Sequence, residues 1–271
     1  MSAVISSQFV LTDQAFPLNH ARIGINSALV GATVTATSTA TGFDPENVID
    51  GTTYDYWRPT TGNATLTAVF SEIQEIDYLG IAAHDLGTAG ASIQLQHYID
   101  GAWTDTTDAY EPNQFDALAT GDKTIMLFFN RVFTDRVRLV ITSSQVYSIG
   151  VVYAGKAFAF ERPFYQGHRP LSLNRTTSIV HHISEQGLDV GRYIRRKGAR
   201  TTIQVNNQTP GFMRNKVAPL IQARRTRGFF FAWRPDSLPD DVAFCWSAEN
   251  IQPVNSGKRD LMDLSFSVSA I

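Results

Sequence analysis

The sequence predicts an all-β protein made of two β-rich domains and a single packed helix. From residue 22 onward, short apolar runs are separated by turn residues about every ten positions, which is the pattern of antiparallel sandwiches. Only 18% of the 271 residues are charged, and Ser, Thr and Gly are abundant, which favours strands over surface helices. Residues 161–170 combine two prolines, a glycine and several charges, so we predict a domain boundary there.

The first stretch predicts an N-terminal arm at residues 1–20, or one strand belonging elsewhere, followed by a β-sandwich at residues 21–160. Several of its runs alternate between apolar and polar residues, so the corresponding strands bury one face. The run at 76–83 is almost wholly apolar and predicts a central strand buried on both faces. The dipeptide Asp100-Gly101 predicts a tight hairpin. The predicted strands lie at residues 32–41, 64–70, 76–83, 92–98, 124–129, 136–141 and 149–160.

The second stretch, residues 161–271, predicts a β-rich domain with one helix near residues 210–225. Apolar side chains recur there at helical spacing, and basic residues lie away from that stripe. Pro219 falls inside the stripe and predicts a kink or a later start. Residues 262–269 alternate without interruption, which predicts a final strand with one face in water.

Net charge divides the chain at the same boundary. Residues 1–160 carry a net charge of −9 and residues 161–271 carry +7. This asymmetry predicts surfaces that meet different partners, or that pack head to tail between subunits. Drift of surface charge without a functional role is the alternative.

The N-terminus and the single cysteine predict a cytoplasmic origin. The first residues lack the basic start and apolar core of a signal peptide, and no run is suited to span a membrane. Cys245 is the only cysteine, which fits synthesis in a reducing compartment.

Five segments in a fixed order carry a resemblance to a known domain family. They read FDPENVIDGTTYDYWRP (residues 43–59), DYLGIAAH, DGAW, RVRLVI and IGVVY. Together they resemble the discoidin, or coagulation factor C-type, domain over about residues 21–159. The resemblance implies a jelly-roll β-sandwich of a kind that often binds glycans or surfaces.

A second resemblance covers most of residues 161–271. The segments FFFAWRPDSLPDDVAFCW and IGVVYAGKAFAFERPFYQGHRP, with PLNHARIG near the start, look like phage minor tail proteins of tube or distal-tail type. This resemblance implies a tail-tube-like domain whose copies form a ring with other tail tube or hub proteins. The protein would then be made in the host cytoplasm and reside in the virion tail.

The discoidin resemblance also implies a calcium-binding loop. The nearest oxygen donors to that motif are Asn47, Asp50, Thr52 and Asp55. A turn in which Asp50 caps its own backbone is the alternative, because the acidic residue that the family places near its last strand is not evident. Glu161 comes closest to it.

Aromatic and polar residues near predicted loops are candidates for sugar binding. Trp103, Tyr110, His97 and Asn113 are the set that we predict to stack on a sugar and to hydrogen-bond with it. The alternative is that the aromatic residues anchor loops onto the sandwich. His84 lies in an apolar run and is predicted to be a satisfied core histidine.

Basic residues of the second domain predict a subunit interface. The candidates are Arg192, Arg195, Arg196, Arg224 and Arg225. Nucleic-acid readout is not predicted, because no binding motif and few stacking aromatic residues accompany them. His181 and His182 are neighbours on a predicted strand and point to opposite faces, which disfavours a shared metal.

No catalytic arrangement is legible, so we predict that the protein is not an enzyme. A phosphate-binding loop, a zinc spacing and a hydrolase elbow are all lacking, and Cys245 reads as a buried hydrophobe. The sequence therefore predicts a structural homo-oligomer of a phage tail tip or baseplate with an outward-facing, host-attaching sandwich, and no cofactor apart from the calcium ion. The alternative is a glycan-binding module: a lectin, an adhesin or an appendage of a carbohydrate-active enzyme.

Overall fold

The chain folds into two largely antiparallel sheets, which confirms the all-β prediction. The computed structural model describes residues 3–5, 16–106, 115–116, 121–164, 168–173, 175–223, 225–247, 249–257 and 260–271. The first sheet contains β1 (Ala3–Ile5), β3 (Thr33–Ala36), β4 (Ala64–His84), β5 (Ser92–Ile99), β6 (Ala102–Asp105), β7 (Phe115–Asp116), β8 (Ile125–Thr142) and β9 (Ile149–Gly155). The second contains β2 (Arg22–Gly24), β10 (Phe158–Ala159), β11 (Arg175–Ile183), β12 (Asp189–Gln208), β13 (Phe229–Ala232), β14 (Val242–Trp246), β15 (Val254–Asn255) and β16 (Met262–Ala270).

Two long strands curl the first sheet into a sandwich. The first half of β4 pairs with β3 and with the end of β8, whereas its second half pairs with β9 and with the start of β8. The change occurs at a register shift between Val69 and Gln74, and a bulge of this kind bends a strand and increases its twist. One apolar core fills the space between the two resulting layers.

The predicted alternation and the predicted central strand are both confirmed. Residues 64–70 of β4 alternate between buried and more exposed positions, whereas residues 76–82 are buried without interruption. β9 is buried along its whole length. The second half of β4 therefore packs on both faces, as its apolar run predicted.

The helix of the second unit, α1, is composed of an α-helical turn (Pro210–Phe212), a π-helical stretch (Met213–Val217) and an α-helical end (Ala218–Ala223). Thr209 caps its start by accepting a hydrogen bond from the amide of Phe212. The wider π turn directly precedes Pro219, whose ring cannot fit under a regular helical carbonyl. Pro219 therefore changes the helix type and does not end the helix. Among the described residues, no helix is long and apolar enough to cross a bilayer.

A third apolar cluster joins the sandwich to the second sheet. Tyr78 and Phe128 of the sandwich contribute to it, and Phe230 and Phe244 contribute from the second sheet. Gly80 lies beneath Phe230, and a methyl group at Gly80 would come within 2.7 Å of that ring. The outer layer of the sandwich is therefore covered by the second sheet.

Two short N-terminal strands cross the predicted boundary at residue 20. Ala3–Ile5, in the predicted arm, pairs in parallel with β8 of the sandwich. Arg22–Gly24, in the predicted sandwich, pairs with β10 and β13 of the second sheet. Sequence alone did not predict this exchange, because such short strands have no period of their own. The domain boundaries themselves stay a prediction.

A buried charge lies at the contact between the two units. Burial raises the pKa of Asp77 on β4 to about 6, although its carboxylate accepts a hydrogen bond from the amide of Ala157 at 2.7 Å. Burial also lowers the pKa of the neighbouring Arg22 guanidinium to about 10, so this group stays protonated at neutral pH. Arg22 donates to the carbonyl groups of His20, Phe16 and Pro17.

We expect Asp77 to make the protein less stable as the pH rises. Its pKa is 3.8 when unfolded and about 6 when folded, so the folded state holds the proton more tightly. The free energy of unfolding should therefore fall through this group by about 3 kcal/mol as the pH rises from about 4 to above about 6. Urea unfolding of the wild type and of Asp77→Asn across this range measures the difference. Parallel pH profiles for the two proteins would show that Asp77 titrates normally.

Candidate functional site

The two predicted sugar-binding residues that the structure describes, Trp103 and His97, lie on opposite faces of the sheet. Trp103 on β6 pairs across the hairpin with Tyr98 on β5, and their rings meet edge to face at 5.2 Å. The guanidinium of Arg138 lies over the Trp103 ring at 4.4 Å, so that ring already has a stacking partner. This arrangement corresponds to the alternative in which Trp103 anchors the hairpin.

His97 lies on the other face of the same sheet. It pairs with Thr104, is buried, and its Nδ1 lies 3.2 Å from the hydroxyl of Thr106. Burial lowers the pKa of His97, which favours the neutral ring. His97 therefore cannot share a ligand with Trp103, and Tyr110 and Asn113 lie outside the described residues.

The acidic loop, residues 44–55, brings three of the four predicted calcium donors together. Thr52 donates from its amide and its hydroxyl to Asp50, at 2.8 Å and 2.9 Å, and its hydroxyl also contacts the Asp55 carboxylate. The side-chain amide nitrogen of the fourth predicted ligand, Asn47, instead donates a hydrogen bond to the carbonyl of Tyr56 at 3.1 Å. These bonds close the loop in the manner of the self-capping alternative.

The acidic loop offers only part of a calcium coordination shell. Two carboxylates and one hydroxyl converge, whereas calcium takes about six to eight oxygen ligands. No group of three or more His, Cys, Asp or Glu residues in the described part of the chain is arranged to hold a metal. The loop would thus need backbone carbonyls or water to complete a site. Calcium binding stays a prediction.

Sequence reasoning missed a cleft at the junction between the sandwich and the second sheet. Its volume is about 840 Å³, and both units line it. The charged and aromatic side chains of its lining include Tyr56, Arg58, Asp85, Asp122, Lys123 and Asp240. These positions are far apart in sequence and meet only because the two units dock, so no local motif marks them.

Arg58 and the rings of Phe43 and Tyr56 form an aromatic shelf, of which Arg58 and Tyr56 line the cleft. Phe43 and Tyr56 stack at 5.0 Å with an interplanar angle of 17°. The Arg58 guanidinium lies 5.2 Å from the Phe43 ring centre and 5.3 Å from that of Tyr56, and its Nε donates to the hydroxyl of Ser148 at 3.0 Å. Contacts on several sides therefore fix this shelf before any ligand arrives.

The acidic groups of the cleft are also held in place. Asp85 accepts a hydrogen bond from the amide of Ser148 at 2.5 Å. Asp122 accepts from the amide of Thr88 at 2.8 Å and from its hydroxyl. Burial opposes ionisation of Asp122, but the hydrogen bonds from Thr88 prevail and lower its pKa.

His84, the predicted core histidine, is buried and contributes to the lining of the cleft. Its Nε2 donates to the carbonyl of Lys123 at 2.8 Å, and its Nδ1 accepts from the amide of Leu86 at 3.3 Å. Burial lowers its pKa, which agrees with a neutral ring that uses one nitrogen as donor and the other as acceptor. Cys245 is buried as well, and burial raises the pKa of its thiol.

The basic residues predicted at a subunit interface are only partly described. Arg192 is exposed on β12, and Arg225 is exposed after α1. The side chains of Arg195 and Arg196 and the whole of Arg224 lie outside the described part. Their role in an interface stays a prediction.

Comparison with known proteins supports one of the two resemblances. Residues 33–153 match the family model of the F5/8 type C domain, which confirms the predicted discoidin-like domain over a little less than half of the chain. No curated protein matches the chain. None of the matches described here is a phage tail protein, so the tail resemblance stays a prediction.

Several solved structures are similar in fold to part of the chain. A pectin-binding carbohydrate-binding module is 17% identical, covers 46% of this chain and 89% of its own, and gives a TM-score of 0.38. A module from Clostridium perfringens in complex with GalNAc-β-1,3-galactose is 17% identical; the match covers 48% of this chain and 98% of the module, with a TM-score of 0.39. A putative α-L-fucosidase from Bacteroides thetaiotaomicron is 20% identical; the match covers 48% of this chain and 28% of the fucosidase chain, with a TM-score of 0.40.

Proposed function

We propose that the protein binds glycans through the cleft between its discoidin-like sandwich and its second sheet. The observation that carries this proposal is the cleft of about 840 Å³, whose lining combines Tyr56 and Arg58 with charged groups of both signs. Sites for small ligands are typically concave, preformed and provided with a few well-placed polar groups. The discoidin-like domain supports the proposal, because the sequence resemblance implies glycan or surface binding.

The chemistry of the cleft suits a sugar better than an apolar ligand. Each sugar hydroxyl both donates and accepts hydrogen bonds, and the cleft supplies Lys123 as a donor and Asp240 as an acceptor. Tyr56 stacks on Phe43 with one face of its ring, and we expect the C–H face of a sugar ring to pack on the other. Lys123 belongs to the sandwich and Asp240 to the second unit, so a bound sugar would contact both.

We expect the full-length chain to bind a defined subset of glycans on an array, and Tyr56→Ala to weaken that binding at least tenfold. A tenfold loss corresponds to about 1.4 kcal/mol, which removal of one stacking ring is expected to cause. Titration calorimetry with the best array ligand measures the change. Tyr54→Ala is the matched control, because Tyr54 lies in the same loop, is 80% exposed and does not line the cleft.

Two results would contradict this proposal. One is an array on which no glycan is retained. The other is a ligand whose affinity stays unchanged both in Tyr56→Ala and in Asp240→Ala. Thermal unfolding of each variant separates loss of the site from loss of the fold.

A role as a structural component of a phage tail tip or baseplate is our second proposal. A self-assembling protein needs a surface that its monomer leaves uncovered, and β11 with the first half of β12 provides one. The opposite net charges of the two halves of the chain support contacts between copies. Ring formation, partners in the tail tube or hub, and residence in the virion belong to this proposal.

A further inference from the structure

A two-stranded ribbon extends beyond the second sheet. β11 pairs with β12 between Asp189 and Ala199, whereas β16 pairs with β12 only from Ala199 onward. We name residues 175–199 the ribbon. Residues 181–194 are exposed throughout, apart from the half-buried Ser184. An isolated two-stranded hairpin is only marginally stable in water, so such a ribbon gains from a partner.

The ribbon concentrates exposed apolar side chains. Of the 17 large apolar residues that are exposed in the described part of the chain, six lie between residues 179 and 194. Two of them, Ile179 and Ile194, are 57% and 51% exposed and face each other directly across the ribbon. The six are Ile179, Ile183, Leu188, Val190, Tyr193 and Ile194. Tyr193 and Ile194 are adjacent on β12 and face opposite sides, so exposed apolar side chains lie on both faces of the ribbon, and such a concentration marks an interaction site on a soluble protein.

The charge of the ribbon indicates an acidic partner. Residues 175–199 contain five Lys and Arg but only two Asp and Glu. Arg192 is exposed on the same face as the paired isoleucines, two positions from Ile194. A matching surface should therefore combine carboxylates with an exposed apolar or aromatic group.

The acidic loop of the sandwich has this composition. It carries four carboxylates, and no Lys or Arg occurs anywhere between Arg22 and Arg58. Asp44 and Glu46 are exposed, and Tyr54, near the end of the same loop, is 80% exposed. We infer that the ribbon of one copy docks on the acidic loop of a second copy. This inference rests on the assembly role proposed above and names the two surfaces that meet.

The contact is head to tail, because the ribbon and the acidic loop are different surfaces of one chain. Each copy uses its ribbon toward one neighbour and its acidic loop toward the other. Contacts of this type close into rings or extend into filaments. The apolar pair supplies burial, and the opposite charges set orientation and make the association sensitive to salt.

Sedimentation velocity of the full-length chain over a range of protein and salt concentrations tests the inference. We expect reversible association that weakens as salt rises. It should be at least tenfold weaker in Ile179→Ser/Ile194→Ser, in Arg192→Glu and in Asp44→Asn/Glu46→Gln. Val254→Ser is the matched control, because Val254 is 58% exposed on β15, outside the ribbon. This variant should associate like the wild type.

The possible failures are distinguishable. A wild type that stays monomeric at every concentration overturns both the assembly proposal and this inference. A wild type that associates, with ribbon variants that associate equally well, overturns the inference and leaves assembly standing. If the ribbon variants weaken association but Asp44→Asn/Glu46→Gln does not, the acidic loop is not the partner surface. Association that occurs only after nucleic acid or anionic lipid vesicles are added would also exclude the acidic loop as the partner surface.

Discussion

Replacing Trp57 by alanine is expected to lower the free energy of unfolding by about 3–5 kcal/mol, the typical loss when a large buried aromatic side chain is truncated. Trp57 is fully buried, and its ring meets Tyr147 edge to face at 5.9 Å. Its indole N–H donates to the carbonyl of Ser38 at 3.1 Å, and its backbone exchanges two hydrogen bonds with Ile149. Trp57 thus fixes the chain that follows the acidic loop to the start of β9.

Urea unfolding followed by circular dichroism measures this loss. Trp57→Phe should cost less, because it keeps most of the apolar burial and loses the hydrogen bond to Ser38. Tyr54→Ala, three residues earlier and 80% exposed, is expected to change stability by less than about 0.5 kcal/mol. Equal unfolding midpoints for Trp57→Ala and Tyr54→Ala would show that Trp57 does not anchor the loop.

Period-two alternation was the strongest signal in the sequence. It predicted the strands around residues 64–70, 92–98 and 262–269, because a strand with one face in water must alternate. It did not predict that residues 64–84 form a single strand. The polar residues 71–74 interrupt the pattern, but in the structure they lie at a bulge through which β4 continues.

The placement of the sugar-binding candidates could have been predicted more closely. A two-residue turn at Asp100-Gly101 sets the register of the hairpin, and it pairs Ile99 with Ala102. Two steps further along, His97 pairs with Thr104, whereas Trp103 pairs with Tyr98. Adjacent positions on a strand face opposite sides, so His97 and Trp103 had to separate.

The cleft could not be predicted from the sequence. Tyr56, Lys123 and Asp240 come together only after the sandwich and the second sheet have docked. Docking depends on the fit of side chains across an interface, and such fit has no periodic signature. The three consecutive phenylalanines of β13 were the nearest sequence signal of docking, because a strand that is apolar at every position must be covered on both faces.

Phe230, the middle residue of β13, carries the second large expected effect. Phe229 and Phe231 belong to the core of the second unit, whereas Phe230 points into the cluster shared with the sandwich. Its ring meets Tyr153 at 5.5 Å and Phe244 at 5.0 Å. Phe230→Ala should lower the free energy of unfolding by about 3–5 kcal/mol, because it leaves a cavity between the two sheets.

The structure also predicts how Phe230→Ala alters unfolding. The shared cluster couples the two units, so the wild type should unfold in one transition. The variant should unfold in two transitions, because the sandwich and the second sheet each keep their own core. Differential scanning calorimetry resolves the two cases, and Leu173→Ala is the control, since Leu173 is 82% exposed in the same unit. An unchanged single transition in Phe230→Ala would show that the interface contributes little to stability. The cleft lies between the same two units, so weaker coupling should reduce glycan affinity even though Phe230 does not line the cleft.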